Sequence, residues 1–132
     1  MPAWAAAGPW VILPRSGAVL TWAPITDRGD FEIEAFERLL TKRTKMVAIT
    51  HLSNVLGTVN PIKEIVRRAH ARGLPVLVDG SQAAVHLPVD VQDLDCDFYV
   101  FTGHETYGPS GIGVLYAKVA QLDAMPHYMG GG

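Results

Sequence analysis

Apolar positions along this chain follow two rhythms, short aliphatic runs and longer stretches with a three-to-four spacing. That alternation predicts strands interleaved with helices. Residues 18–22 read as a strand. Asp30 reads as a helix cap, after which Ile33, Phe36, Leu39 and Leu40 recur at helical spacing. Residues 46–50 form a compact apolar run, the mark of a buried strand. After a polar loop, Asn60 and Pro61 make a helix start, with Asn as cap and Pro in the first turn. Ile62, Ile65, Val66 and Ala69 then line one stripe, and Gly73 stops the helix. Residues 75–79, 98–101 and 112–116 are three further strands. The stretch 46–79 is a strand–helix–strand unit, which demands parallel pairing. The fold expected is α/β, a three-layer α/β/α arrangement with a mostly parallel sheet.

In open α/β sheets, ligands sit outside the carboxyl ends of the strands. Three successive runs here turn polar at that end: the first into Thr50, His51, Ser53 and Asn54, the second into Asp79, Ser81 and Gln82, the third into Thr102, His104 and Glu105. Gly103, Gly108, Gly111 and Gly113 follow, where backbone can approach a ligand or take positive φ. If the strands are neighbours, these ends share one pocket.

Composition narrows the possibilities. The chain has 132 residues, enough for one compact domain and short for two. With 48% hydrophobic and 18% charged residues it matches ordinary soluble globular proteins. A formal net charge of −2 gives no general attraction to nucleic acid or to an anionic membrane. No apolar stretch approaches the ~20 residues that cross a bilayer. The start, MPAWAAAGPWVILP, lacks the basic residues of a secretion signal, and residues 1–15 read as an irregular or truncated segment. A single cysteine, Cys96, excludes an internal disulfide and fits a reducing compartment, with cytoplasm as the default.

Each candidate has a plain structural role as well as a chemical one. Asp79 either caps the next turn or pairs with a buried cation such as a protonated ring nitrogen. Thr102 and His104, flanking a glycine, form either a hydrogen-bonded turn or a phosphate cradle. His51, Asp79, His104 and Glu105 include metal-ligand types, but no pair has a close ligand spacing such as HExxH. His86 reads as structural, and His70 sits near a helix end where a cation is mildly favoured. Cys96 lies between Asp95 and Asp97, whose carboxylates raise a thiol pKa and make a poor nucleophile. A dinucleotide module is disfavoured because no G-x-G-x-x-G joins a strand to a helix.

The stretches AITHLSNVLGTVNPIKEI, VLVDGSQAAVHLPVDVQDLDCDFYVFTGHETYGPSGIGVLY and MPHYMGGG resemble the class V aminotransferase superfamily, and within it the cysteine desulfurases and selenocysteine lyases. The resemblance runs from about Pro9 to Gly132. It implies the middle of the large domain of a fold-type-I pyridoxal-phosphate enzyme, so that 1–132 is a single partial domain. It further implies a homodimer in full length, L-cysteine or selenocysteine as substrate, a sulfur-acceptor protein as possible partner, and pyridoxal 5′-phosphate as cofactor. By position, Asp79 pairs with the ring nitrogen and keeps it protonated. Gln82 and Asn54 contact the ring-oxygen side or the substrate, and Thr102 and His104 hold the phosphate.

The residue after His104 is, in that family, the lysine that holds the cofactor as an imine. Here it is Glu105. A carboxylate cannot condense with an aldehyde, although it can act as a base. Its charge also repels a phosphate, by ~4 kcal/mol at ~4 Å and an effective dielectric near 20, so the substitution weakens cofactor binding. Two expectations follow: part of a desulfurase that is inactive as it stands, or a non-catalytic remnant that binds a partner or weakly binds cofactor. A metal-dependent hydrolase rests only on the loose His/Asp/Glu set.

Overall fold

A computed structural model describes residues 17–126. The irregular segment expected at 1–15 and the end of the MPHYMGGG stretch lie outside those residues. In chain order the elements are α1 (Ile33–Leu39), β1 (Val47–Thr50), α2 (Ile62–His70), β2 (Val76–Asp79), α3 (Ala83–His86), α4 (Val91–Leu94), β3 (Phe98–Thr102), β4 (Gly113–Ala117) and α5 (Val119–Ala124). The four strands form one sheet in the order β1-β2-β3-β4. β1, β2 and β3 pair in parallel, and β4 returns antiparallel to β3. The α/β expectation with a mostly parallel sheet therefore holds.

Register decides which letters are buried. Ile49, Val78, Tyr99 and Tyr116 are cross-strand partners and share one face. That face packs with Phe36, Leu40, Ile62, Ile65, Val66 and Ala69 of the α1 and α2 regions into a single core. Ile65, Val66, Val76 and Val78 are fully enclosed, each worth about 1.5–3 kcal/mol of burial. The α2 stripe read from the sequence is the stripe that is buried. Gly73 takes φ +68 just past the helix, and the Leu74 amide reaches back to the Ala69 carbonyl, so the glycine closes α2 as expected. Across the helices, Arg68 binds Glu64 and Glu37 together, tying α2 to α1. Alternate strand residues face the other way: Ala48 is exposed, Leu77 and Val100 are half-buried, and Leu115 is exposed.

Several local expectations are corrected. Residues 18–22 form no strand; Val19 and Trp22 are exposed and have no ladder partner, and only Ile25 bridges to Phe31. Asp30 does not cap α1. Its amide donates to Thr26 Oγ1 in a tight turn, and the helix begins two residues later from Glu32. Asn60 does not cap α2 either: its side-chain amide donates to the Thr50 carbonyl at 2.7 Å, and Pro61 holds the cap position. The capped helix is α4, where Asp90 accepts from the amides of Gln92 and Asp93.

Candidate functional site

Thr50, Asp79 and Thr102 end their strands on the face turned away from the α1–α2 core. Thr50 pairs directly with Asp79, and Asp79 pairs with Val100, two residues before Thr102. Alternation does the rest, because Ile49, Val78 and Phe101 take the core side. A cavity of about 190 Å³ opens here, lined by Thr50, Asn54, Asp79, Gln82, Thr102 and Glu105. Leu52 and Ser81 complete the wall. Three parallel strand ends thus converge as the topology argument requires.

Asp79 takes the first of the two roles considered for it, holding the turn that follows β2. One oxygen, Oδ1, accepts from the Ser81 amide at 3.0 Å and the Ser81 hydroxyl at 2.8 Å. Among the described residues no hydrogen bond reaches Oδ2, so the turn fixes the carboxylate and leaves one oxygen for a ligand. The Thr102 hydroxyl oxygen is fully buried and has no hydrogen-bond partner among the described residues. An orphaned buried hydroxyl costs about 1–3 kcal/mol, and Thr102 is also one of the residues of the cavity wall.

Glu105 sits on the 103–112 hairpin between β3 and β4. That turn is closed by the Gly103 amide on the Ile112 carbonyl and the Gly108 amide on the Gly103 carbonyl. His104 is placed differently from the expectation. Its ring is more than half exposed, lies 3.5 Å from Glu105, and is not part of the cavity wall. The alternation that turns Thr102 inward gives way to a turn at Gly103, so strand periodicity cannot aim the next residues.

His51 is a core residue. It is buried, its Nδ1 is 3.0 Å from the Tyr99 hydroxyl, and burial lowers its pKa. Burial likewise pushes Tyr99 up to about 12. Cys96 is enclosed and its thiol is raised to about 11, first by burial, with the neighbouring carboxylates a lesser cause. Among the described residues no group of three His, Cys, Asp or Glu side chains could hold a metal. No helix of the described residues is long and apolar enough to cross a membrane. Leu52, the apolar part of the wall, was not singled out from the sequence; its bridge to Val59 holds it there and leaves no local pattern.

A second cavity, of about 280 Å³, lies at the opposite, amino-terminal ends of β2 and β3. Its polar groups already satisfy one another. Asp97 Oδ2 lies 2.8 Å from His70 Nε2 and accepts from the Val76 amide, while Asp97 Oδ1 accepts from Gln121.

The sequence profile of the family Aminotransferase class-V matches residues 1–132. The chain belongs to that family. Its relatives include the cysteine desulfurase of Dickeya dadantii (strain 3937), 58% identical over 125 residues, a match covering 94% of this chain and 30% of that protein. The cysteine desulfurase of Enterobacter sp. (strain 638) is 56% identical over 125 residues, covering 94% and 31%. Among solved structures, the cysteine desulfurase CsdA from Escherichia coli superposes with a TM-score of 0.87 at 41% identity, over 95% of this chain and 32% of that one. SspA in complex with cysteine superposes with a TM-score of 0.84 at 30% identity, over 95% and 36%. The chain therefore spans about a third of the length of these relatives.

Proposed function

We propose that this chain is part of the cofactor-binding domain of a cysteine desulfurase and that the strand-end pocket receives pyridoxal 5′-phosphate. The observation that carries the reading is the placing of Asp79, with one oxygen disengaged, and Thr102 along the wall of one cavity at the carboxyl ends of neighbouring strands. Such a cofactor supplies an electron sink for bond breaking at the α-carbon of an amino acid.

In this reading Asp79 accepts from the ring nitrogen and holds a proton there, its orientation set by Ser81. Thr102 donates its hydroxyl to the phosphate. Gln82 and Asn54 offer amide groups to the ring oxygen or the substrate. The substrate is L-cysteine, whose sulfur passes to a thiolate contributed from outside the described residues. Cys96 is not that thiolate, being enclosed and held protonated up to about pH 11. Glu105 gives the chain no amine to tether the cofactor, so it binds without a covalent link and does not turn over by itself.

Borohydride trapping with pyridoxal phosphate tests the reading. The natural chain should give no adduct at position 105. Glu105→Lys should give one, and adding Asp79→Ala should remove most of it. A folded Glu105→Lys chain that traps nothing at position 105 overturns the assignment.

A further inference from the structure

We propose that the pocket selects a cationic amine on the ligand ring, so that it takes pyridoxamine 5′-phosphate in preference to ring forms with an uncharged group at that position. The inference rests on the pocket being a site for a phosphorylated pyridine.

Two carboxylates, Asp79 and Glu105, contribute to the wall, and no lysine, arginine or histidine does. Asp79 has one oxygen committed to Ser81 and so offers one acceptor, enough for the ring N–H. Glu105 is the second acceptor. Among the described residues its one ion-pair contact is with the His104 ring, at 3.5 Å on the exposed side of the hairpin. An ammonium on the ring sets one more positive charge beside this doubly negative wall than an aldehyde, a methyl or an alcohol does. Repulsion between Glu105 and the phosphate is common to all these ligands and cancels from their ratio. What remains is the attraction between Glu105 and an ammonium, a charge-assisted hydrogen bond of the stronger kind. An imine offers no compensation, because a carboxylate cannot form one.

The test compares two ligands that differ only at the ring substituent and cannot condense with surface lysines, pyridoxamine 5′-phosphate and 4′-deoxypyridoxine 5′-phosphate. Each is titrated calorimetrically into the full chain at pH 7 and low salt. The amine should bind about tenfold tighter, since one hydrogen bond between charged groups is worth about that factor. The gap should close to within about threefold in Glu105→Gln, checked for folding by circular dichroism, and should persist in Glu105→Asp. Raising the salt should narrow it. Equal affinities that both weaken in Asp79→Asn would overturn the amine preference and leave the pocket reading standing. Failure of both ligands to bind a folded chain would remove the pocket reading and the preference together. A tenfold gap unchanged in Glu105→Gln would also overturn the assignment to this residue.

Discussion

Tyr99 lays its ring against the backbone of Gly80, leaving no room for a side chain there: a Cβ at position 80 would fall 2.0 Å from the ring. The Gly80 amide also donates to the Val100 carbonyl, so the backbone cannot retreat without breaking the link between β2 and β3. Because Gly80 directly follows Asp79, the core face of the sheet sets the position of a site residue on the other face. Gly80→Ala should destabilise the chain by about 1–3 kcal/mol through overpacking. Urea denaturation checks this, and trimming the ring with Tyr99→Leu should recover part of the loss.

Thr102→Val should separate stability from binding. The hydroxyl has no partner among the described residues, so replacing it with a methyl group of the same shape should leave the chain equally stable or up to about 1 kcal/mol more stable. Binding of a phosphorylated pyridine should fall about tenfold. Denaturation midpoints and ligand titrations on the same two proteins decide the matter.

Asp97 should give the chain an acid-sensitive component. Burial pushes its carboxyl up, but His70 and the Val76 amide outweigh this and hold the pKa below its ordinary value of 3.8. A depressed carboxyl stabilises the fold above the unfolded-state value and loses that contribution as pH falls through the folded value. Stability should therefore drop as pH falls below about 4. Asp97→Asn should flatten that part of the curve and cost about 1–3 kcal/mol at neutral pH. Denaturant titrations from pH 7 to pH 2 measure both.

Cys96 should resist thiol reagents. Raising the pKa from 9.0 to about 11 leaves about a hundredfold less thiolate at a given pH, and the side chain is enclosed. Iodoacetamide at pH 8 should modify the native chain at least 100-fold more slowly than the urea-unfolded chain. Equal rates would place the cysteine at the surface.

The three parallel strands were legible because each buries at least one side. The runs at 46–50, 75–79 and 98–101 were found to within a residue, and the α2 stripe needed no correction. Residues 18–22 have the same apolar letters but no neighbour to pair with, and a single sequence cannot display that difference. Asp30 and Asn60 were read as caps from residue type. Their local turns instead use a Thr26 hydroxyl and a Thr50 carbonyl, choices set by the approach of neighbouring backbone. The short helices α3, α4 and α5 went unanticipated, being four to six residues long with too few turns to show a period. In the candidate site, parallel order and alternation fix where the strand-end residues Asp79 and Thr102 go, whereas Asn54, Gln82, His104 and Glu105 lie beyond the strand ends, where the pattern sets no direction; of these His104 falls outside the cavity wall.

Asp79 and Glu105 share a cavity but hang from different supports, one from the carboxyl end of the central parallel strand and the other from a hairpin beyond the last rung of the antiparallel β3–β4 ladder, Thr102 opposite Gly113. Sliding β3 by one residue would exchange Thr102 for Phe101 and ruin the wall. Trimming or lengthening the hairpin would re-aim position 105 and leave the acid of β2 where it is. The two carboxylates can thus drift independently in evolution, and a designer can regraft the second without rebuilding the first.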